Sequence, residues 1–199
     1  MLDKYGIGQD PYCYPGTSVF DNKLHIQSEP VLNLAERDLS AAAANELEFS
    51  PPPYDLACLR RIHQHLFADL YAWAGEIRIV EISKGTTHFC TVGRIEPEAE
   101  KLFGSLARAA YFSGLDRAGL ISASAQLFGD LNVIHPFRDG NGRALRILFE
   151  HIIIHAGYEI SWWAIDQEQW TQANIDAVVC DYSGLTRCFE RCVGQAIYG

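Results

Sequence analysis

Apolar residues recur at spacings of three and four along most of this chain. In LACLRRIHQHLFADLYAWAG, Leu56, Leu59, Ile62, Leu66 and Leu70 fall on one helical stripe, with Asp55 placed to cap its start and Gly75 to end it. Upstream, LNLAERDLSAAAANELEF has helical composition from Val31 and is closed by the prolines at 51–53. Pro97 suits the first turn of a helix through EAEKLFGSLARAAYF, and a further helix is predicted over Ala118–Leu131. In GRALRILFEHIIIHAG, Ala144, Leu145, Leu148, Phe149, Ile152, Ile153 and Ala156 cover much of the circumference, which predicts a central, buried helix stopped at Gly157. DQEQWTQANIDAVV and SGLTRCFERCVGQAI read as two closing helices, with Asp166 and Ser183 as caps.

One segment breaks the helical period. EIRIVEI, residues 76–82, alternates polar and apolar and predicts a short strand that KGTTHF turns into a hairpin. It is the one β segment expected. The fold class is therefore mainly α, a compact helical bundle with one short β-hairpin. Residues 1–30, rich in Gly, Pro, Tyr and Asp, read as an arm packed on a single domain that spans 31–199.

The 199 residues suffice for one buried core, and the net charge of −9 argues against sequence-independent nucleic-acid binding, which depends on Lys and Arg neutralising phosphates. No run approaches the ~20 apolar residues that span a bilayer, and MLDKYGIGQDPYCYPG lacks a signal-peptide pattern. A cytoplasmic protein with no membrane contact and with reduced thiols at its six cysteines is the expectation.

The chemistry concentrates in HPFRDGNGRALR, residues 135–146. Pro136 disfavours helix at His135, and Gly140 and Gly142 bare the backbone where the chain turns into the buried helix. Open N–H groups at a helix N-terminus bind anions. Arg143 and Arg146 share one face of the first turn, where two cations oppose the helix dipole and suit a phosphate ligand better than the helix. Asp139 offers the single hard oxygen that Mg²⁺ takes when a nucleotide supplies the rest. His135 titrates near neutrality and can accept a proton from an attacking hydroxyl. Together these residues fit attack on a nucleotide phosphate.

Other readings stand beside this one. A Gly-rich helix start with a capping Asp and solvated Arg has the same composition. The phosphate-binding P-loop pattern is absent. Asp139, Asn141 and Glu150 occupy the first, third and twelfth positions of an EF-hand loop, but Arg143 and Ala144 at the fifth and sixth defeat it. His151 and His155 have the spacing of a zinc pair without a third ligand, so packing is their default.

The stretch H-P-F-R-D-G-N-G-R-A-L-R resembles the signature of the Fic family, H-x-F-x-[DE]-G-N-G-R-x-x-R, at every specified position. LYAWAGEIRIVEISKGTTHFC is similar to the family's flap region, residues 76–91, and WTQANIDAVVCDYSGL to its downstream segment. The opening DKYGIGQDPYCYPG is similar to the arm of stand-alone class I bacterial Fic toxins. The resemblance implies a Fic-type helical bundle that transfers AMP from ATP to a Tyr, Ser or Thr hydroxyl of a target protein and releases pyrophosphate. On this pattern His135 would be the base and Asp139 the Mg²⁺ ligand. Asn141 would orient the α-phosphate, whose oxygens the N–H groups around Gly140 and Gly142 would bind. Arg143 and Arg146 would take the outer phosphates, with Phe137 anchoring the loop. Lys84 would approach the phosphates from the flap, and Asn174 and Trp170 lie where relatives contact adenine. Gly142 fills the place where the Doc-type kinases of this fold carry Lys, which favours AMP transfer over phosphate transfer.

The resemblance also implies partners. The target would add as a strand to the flap hairpin, and a type II topoisomerase such as DNA gyrase is the first candidate. Many relatives are silenced by a glutamate in [ST]-x-x-x-E-[GN]; here TSVFDN at 17–22 has Asp in that place and TRCFER at 186–191 ends in Arg. Inhibition is therefore expected in trans, from a small helical antitoxin whose glutamate reaches Arg146. Transfer of another nucleotide or phosphate group, or a catalytically silent interaction module, are the alternatives.

Overall fold

The buried helix is where the pattern puts it. In the computed structural model, which describes residues 10–85 and 87–197, helix α5 (Asn141–His155) runs through the middle of the domain. Its residues Ala144, Leu145, Leu148, Phe149, Ile152 and Ile153 are all buried. Helices α2 (Leu56–Phe67) and α4 (Arg117–Ile134) pack on it. α1 (Glu29–Glu46) lies on α2, α3 (Ile95–Arg108) on α4, and α6 (Gln167–Ala177) and α7 (Ser183–Cys192) close the bundle against α4. The result is mainly helical, as the periodicity requires. No helix among the described residues is long and apolar enough to cross a membrane.

The caps are chemically ordinary where the sequence carries them. Asp55 accepts from Cys58 N at 2.6 Å, Asp116 from Gly119 N at 2.8 Å, and Asp166 from the N–H groups of Glu168 and Gln169 at 3.0 Å each. Ser183 is not a cap; it is the first residue of α7, and its N–H is taken by the Asp181 carboxylate at 3.0 Å. α2 ends eight residues before Gly75. The intervening turn is filled by Tyr71 and Trp73, whose rings stack at 4.3 Å, and Gly75 closes it at φ +82°.

The expected strand at 76–82 does not form. Strands β1 (Ser83–Lys84) and β2 (Thr87–His88) make a hairpin one step further along, and residues 76–82 run to it without ladder partners. The alternation misleads at its centre, where the polar and apolar positions exchange sides. Arg78 is wholly buried while Ile79 is 70% exposed. A second hairpin, not expected from the sequence, pairs β3 (Tyr158–Ile160) with β4 (Val193–Ala196), so the last predicted helix is cut short at Cys192. Val193 sits at the strand start and Gly194 lies close against Glu159, which suits a strand better than a helix.

Of the N-terminal arm, residues 1–9 lie outside the described residues. From Asp10 onward the arm folds on itself by a bridge between Cys13 and Phe20, and buried Asn22 holds the turn with bonds to Phe20 O, Ile26 O and Ile26 N. Phe20 then meets Tyr71 and Trp73 edge-on, at 5.8 and 5.7 Å.

Candidate active site

α4 ends at His135, whose backbone turns left-handed at φ +48° before Pro136 redirects the chain. The loop 136–140 then delivers the chain to the N-terminus of α5. Phe137 is wholly buried and stacks on His63 of α2 at 3.9 Å. His63 Nδ1 accepts from Gly75 N at 2.9 Å, so its Nε2 carries the proton and donates to the Asp139 carbonyl at 2.9 Å. Burial pushes the pKa of His63 down to about 4, which keeps this neutral bridge intact at neutral pH.

Gly140 supplies the turn at φ +76°. A Cβ there would lie 2.4 Å from the Phe67 ring and 3.1 Å from His63 Nε2, so both the backbone and the packing demand glycine. Around Gly142, by contrast, nothing lies within 4 Å of a Cβ. The Asp139 side chain accepts from Gly140 N at 2.6 Å, and the N–H groups of Arg143 and Ala144 both reach Gly140 O at 3.1 Å. Among the described residues no acceptor meets the N–H groups of Asn141 and Gly142. The anion-binding helix start expected from the sequence is present as open backbone.

His135 has the geometry of a base. Its Nδ1 faces the Asn132 carbonyl at 3.0 Å and must carry the proton, which leaves the lone pair on Nε2. Burial pushes the pKa of the ring down to about 4, helped by Arg78 and Lys84 nearby and opposed by the Asn132 bond and Asp139. The imidazole is thus neutral at physiological pH, with its acceptor nitrogen available.

Three residues expected at the nucleotide, Asn141, Arg143 and Asn174, have partners within the protein. Asn141 is buried, and its amide clamps the loop: Oδ1 accepts from Phe137 N at 2.9 Å while Nδ2 donates to Phe137 O at 2.8 Å. The amide thereby fixes the turn that leads into the helix start. Arg143 does not share an open face with Arg146. Its guanidinium pairs with Glu36 of α1, donates to Ser40 Oγ at 3.0 Å and lies over the Phe67 ring at 4.6 Å. Tyr71 donates to the other Glu36 oxygen, so the carboxylate is held from two sides. Asn174 donates to Trp170 O of its own helix at 2.8 Å, and Trp170 packs on Phe128 and Trp162 in the core.

Arg146 differs from Arg143. It is half-buried, and among the described residues no hydrogen bond or ion pair engages it; burial and the neighbouring Arg143 press its pKa down, and Glu150 one turn along opposes them. Glu150 is itself bound to Trp162 Nε1 at 2.7 Å. Lys84 is exposed on β1. No cluster of three or more metal-binding side chains exists among the described residues. His151 instead accepts from Ser50 N at 3.3 Å, and His155 packs on Tyr54.

Several site residues escaped the sequence. Arg78 donates to the carbonyls of His135 at 2.8 Å, Val80 at 2.7 Å, Ile134 at 3.5 Å and Cys90. Its own N–H reaches Pro136 O at 2.9 Å. It therefore ties the flap to the end of α4. Asp10 pairs with Arg138, and Tyr12 Oη accepts from Ile79 N at 3.0 Å, so the arm holds both the motif loop and the flap. His63 left a signal, since it follows Leu59 by four on the apolar stripe; Arg78, inside an apparent strand, left none.

Comparison with known proteins agrees with this geometry. Residues 53–153 match the Fic/DOC family. The chain is 40% identical over 196 residues to the Escherichia coli K12 protein named "Probable protein adenylyltransferase Fic", covering 98% of each. It is 35% identical over 178 residues to protein adenylyltransferase VbhT of Bartonella schoenbuchensis, covering 88% of this chain and 37% of that protein. The N-terminal Fic domain of a VirB-translocated Bep effector from Bartonella quintana, solved with bound ADP, superposes with a TM-score of 0.86 at 28% identity, covering 93% of this chain and 95% of that one. BepC of Bartonella tribocorum with bound AMPPNP gives a TM-score of 0.85 at 26% identity, over 92% and 95%.

Proposed function

This chain belongs to the Fic/DOC family and is a protein adenylyltransferase, and we propose that its reaction is run by His135 at the open N-terminus of α5. His135 Nε2 takes the proton of a target Tyr, Ser or Thr hydroxyl. The hydroxyl oxygen forms a bond to the α-phosphorus of ATP as the bond to the bridging oxygen of the β-phosphate breaks, and pyrophosphate leaves. The N–H groups of Asn141 and Gly142 hold the α-phosphate oxygens as charge shifts among them. Arg146, which no carboxylate among the described residues pairs with, takes the outer phosphates, and Arg143 supports it from its pair with Glu36. Lys84 adds positive charge from the flap.

The single observation that carries this reading is the state of His135: Nδ1 tied to the Asn132 carbonyl, pKa lowered, and Nε2 without a hydrogen-bond partner among the described residues. The donor set also fits Mg²⁺. Asp139 keeps one carboxylate oxygen outside its bond to Gly140 N, and among the described residues it belongs to no cluster of three or more metal-binding side chains, as for an ion whose other ligands are phosphate oxygens and water. Asp139 would hold it, and it would neutralise charge on the phosphates.

The finer reading is that of a bacterial toxin acting on DNA gyrase or another type II topoisomerase. The hairpin β1–β2 presents a short edge for an extended target segment. Inhibition would come in trans from a small helical antitoxin whose glutamate pairs with Arg146. In support, neither candidate inhibitory stretch pairs with Arg146 among the described residues: 17–22 lies in the arm, and Glu190 is exposed on α7. Incubating purified gyrase with the protein, Mg²⁺ and ATP tests the target, by mass spectrometry. A peptide heavier by one AMP is expected; unmodified gyrase beside another labelled protein would contradict it. Wild-type activity in the Glu190→Ala protein, and its loss on adding the antitoxin, is expected for inhibition in trans.

A further inference from the structure

Cys90, just after β2, is pinned from both sides. Its N–H donates to Val133 O at 3.0 Å, and its carbonyl accepts from the buried guanidinium of Arg78. Phe89 precedes it, with its own N–H reaching Ile82 O at 3.4 Å. The ring so placed lies against the imidazole of His135, centroid to centroid 3.8 Å, with the planes 20° apart. One face of the imidazole is therefore covered by the flap.

We propose that Phe89 is a positioning residue for His135: its ring fixes the plane of the imidazole, so that Nδ1–H stays on the Asn132 carbonyl and Nε2 stays turned to the incoming hydroxyl. An imidazole at the end of a helix has two-fold freedom about its outer torsion, and one hydrogen bond at Nδ1 restrains it only partly. A stacked ring removes the rotations that would carry one face of the imidazole into it. The flap then does two things, because the residue that follows its strand β2 sets the base, and the Arg78 bonds to His135 O and Cys90 O keep the two in register. Asp139, Arg78 and Lys84 are the charged groups acting on the ring.

This inference rests on the reading of His135 as the base, and its test separates the two. Nitrogen-15 NMR of histidine-labelled protein at pH 8, without ATP or target, reads the His135 tautomer directly. Wild type is expected to show the Nδ1–H form, Phe89→Ala a mixture of both forms, and Phe89→Tyr the wild-type signal. In AMP transfer, Phe89→Ala is expected to lower kcat about tenfold with ATP affinity unchanged, and Phe89→Tyr to restore it. If Phe89→Ala does not fold, Phe89→Leu, which keeps apolar volume without a flat face, is read in its place. A variant that keeps the Nδ1–H form and wild-type kcat, with only the KM for the target raised, would overturn the proposal and leave Phe89 a docking residue. Absence of AMP transfer by wild type would count against the function alone, since the tautomer still decides the stack.

Discussion

His63 and Asp139 stand 76 residues apart, and the imidazole Nε2 of the first holds the backbone carbonyl of the second at 2.9 Å. The bond joins α2 to the motif loop at the residue assigned to the metal. His63→Ala removes the partners of Gly75 N–H and Asp139 C=O together, and is expected to cost on the order of 3 kcal/mol of stability. Chemical denaturation measures it; a loss under about 1 kcal/mol would show that the loop does not depend on this bridge.

Acid should weaken the same link. The folded pKa of His63 is lowered to about 4 from an ordinary value near 6.5, so the unfolded chain binds the proton first. Its contribution is complete above about pH 6.5, falls as pH drops from there toward 4, and is level below. The shift corresponds to about 3 kcal/mol. Stability measured between pH 7 and 4 is expected to fall more steeply in wild type than in His63→Gln.

The two glycines of the motif have opposite tasks. Gly140→Ala places a Cβ against Phe67 in a left-handed backbone, and a loss of at least about 2 kcal/mol is expected. Gly142→Ala meets nothing in the protein, so its melting temperature should match wild type while AMP transfer falls, because the methyl group enters the space given to the phosphate. Equal effects of the two changes on melting would contradict this division.

Arg143 and Arg146 should separate in the same way. Glu36→Gln breaks the half-buried pair with Arg143 and is expected to lower stability by about 2 kcal/mol with ATP affinity changed less than threefold. Arg146→Gln, which removes no ion pair among the described residues, should leave stability within about 0.5 kcal/mol of wild type and weaken ATP binding at least tenfold. Calorimetric titration with ATP and a thermal melt on each variant check both.

The base predicts its own pH dependence. A proton on Nε2 abolishes acceptance, and the pKa of His135 is about 4, so kcat/KM for transfer is expected to be level from pH 8 to about 6 and to fall tenfold per unit only below about 4. A midpoint near 6.5 would mean that the buried, neutral imidazole is not the base in the free enzyme.

Much of this was legible in the chain. The period of Leu56, Leu59, Ile62 and Leu66 places α2, the all-round apolar pattern at 144–156 places α5 in the centre, and HPFRDGNGR places the open helix start. What stayed hidden depends on partners far off in sequence. Nothing local distinguishes Arg143, which α1 occupies through Glu36, from Arg146, which stays open; both are arginines in one turn. Arg78 looks like the polar half of a strand because alternation reports only that two faces differ, not which one is covered. Its four carbonyl partners come from 80, 90, 134 and 135, and only the folded chain brings these together. Asn141 reads as a ligand by its place in the motif, and only the fold shows its buried amide holding both the N–H and the C=O of Phe137.

The measurement that bears most directly on the account is labelling in bacterial lysate with Mg²⁺ and ATP carrying the label on the α- or on the γ-phosphate, with His135→Ala alongside. Label from the α-phosphate alone, absent with His135→Ala although that protein still binds ATP, is the result the account predicts. Label from the γ-phosphate, or α-label undiminished in His135→Ala, would contradict it.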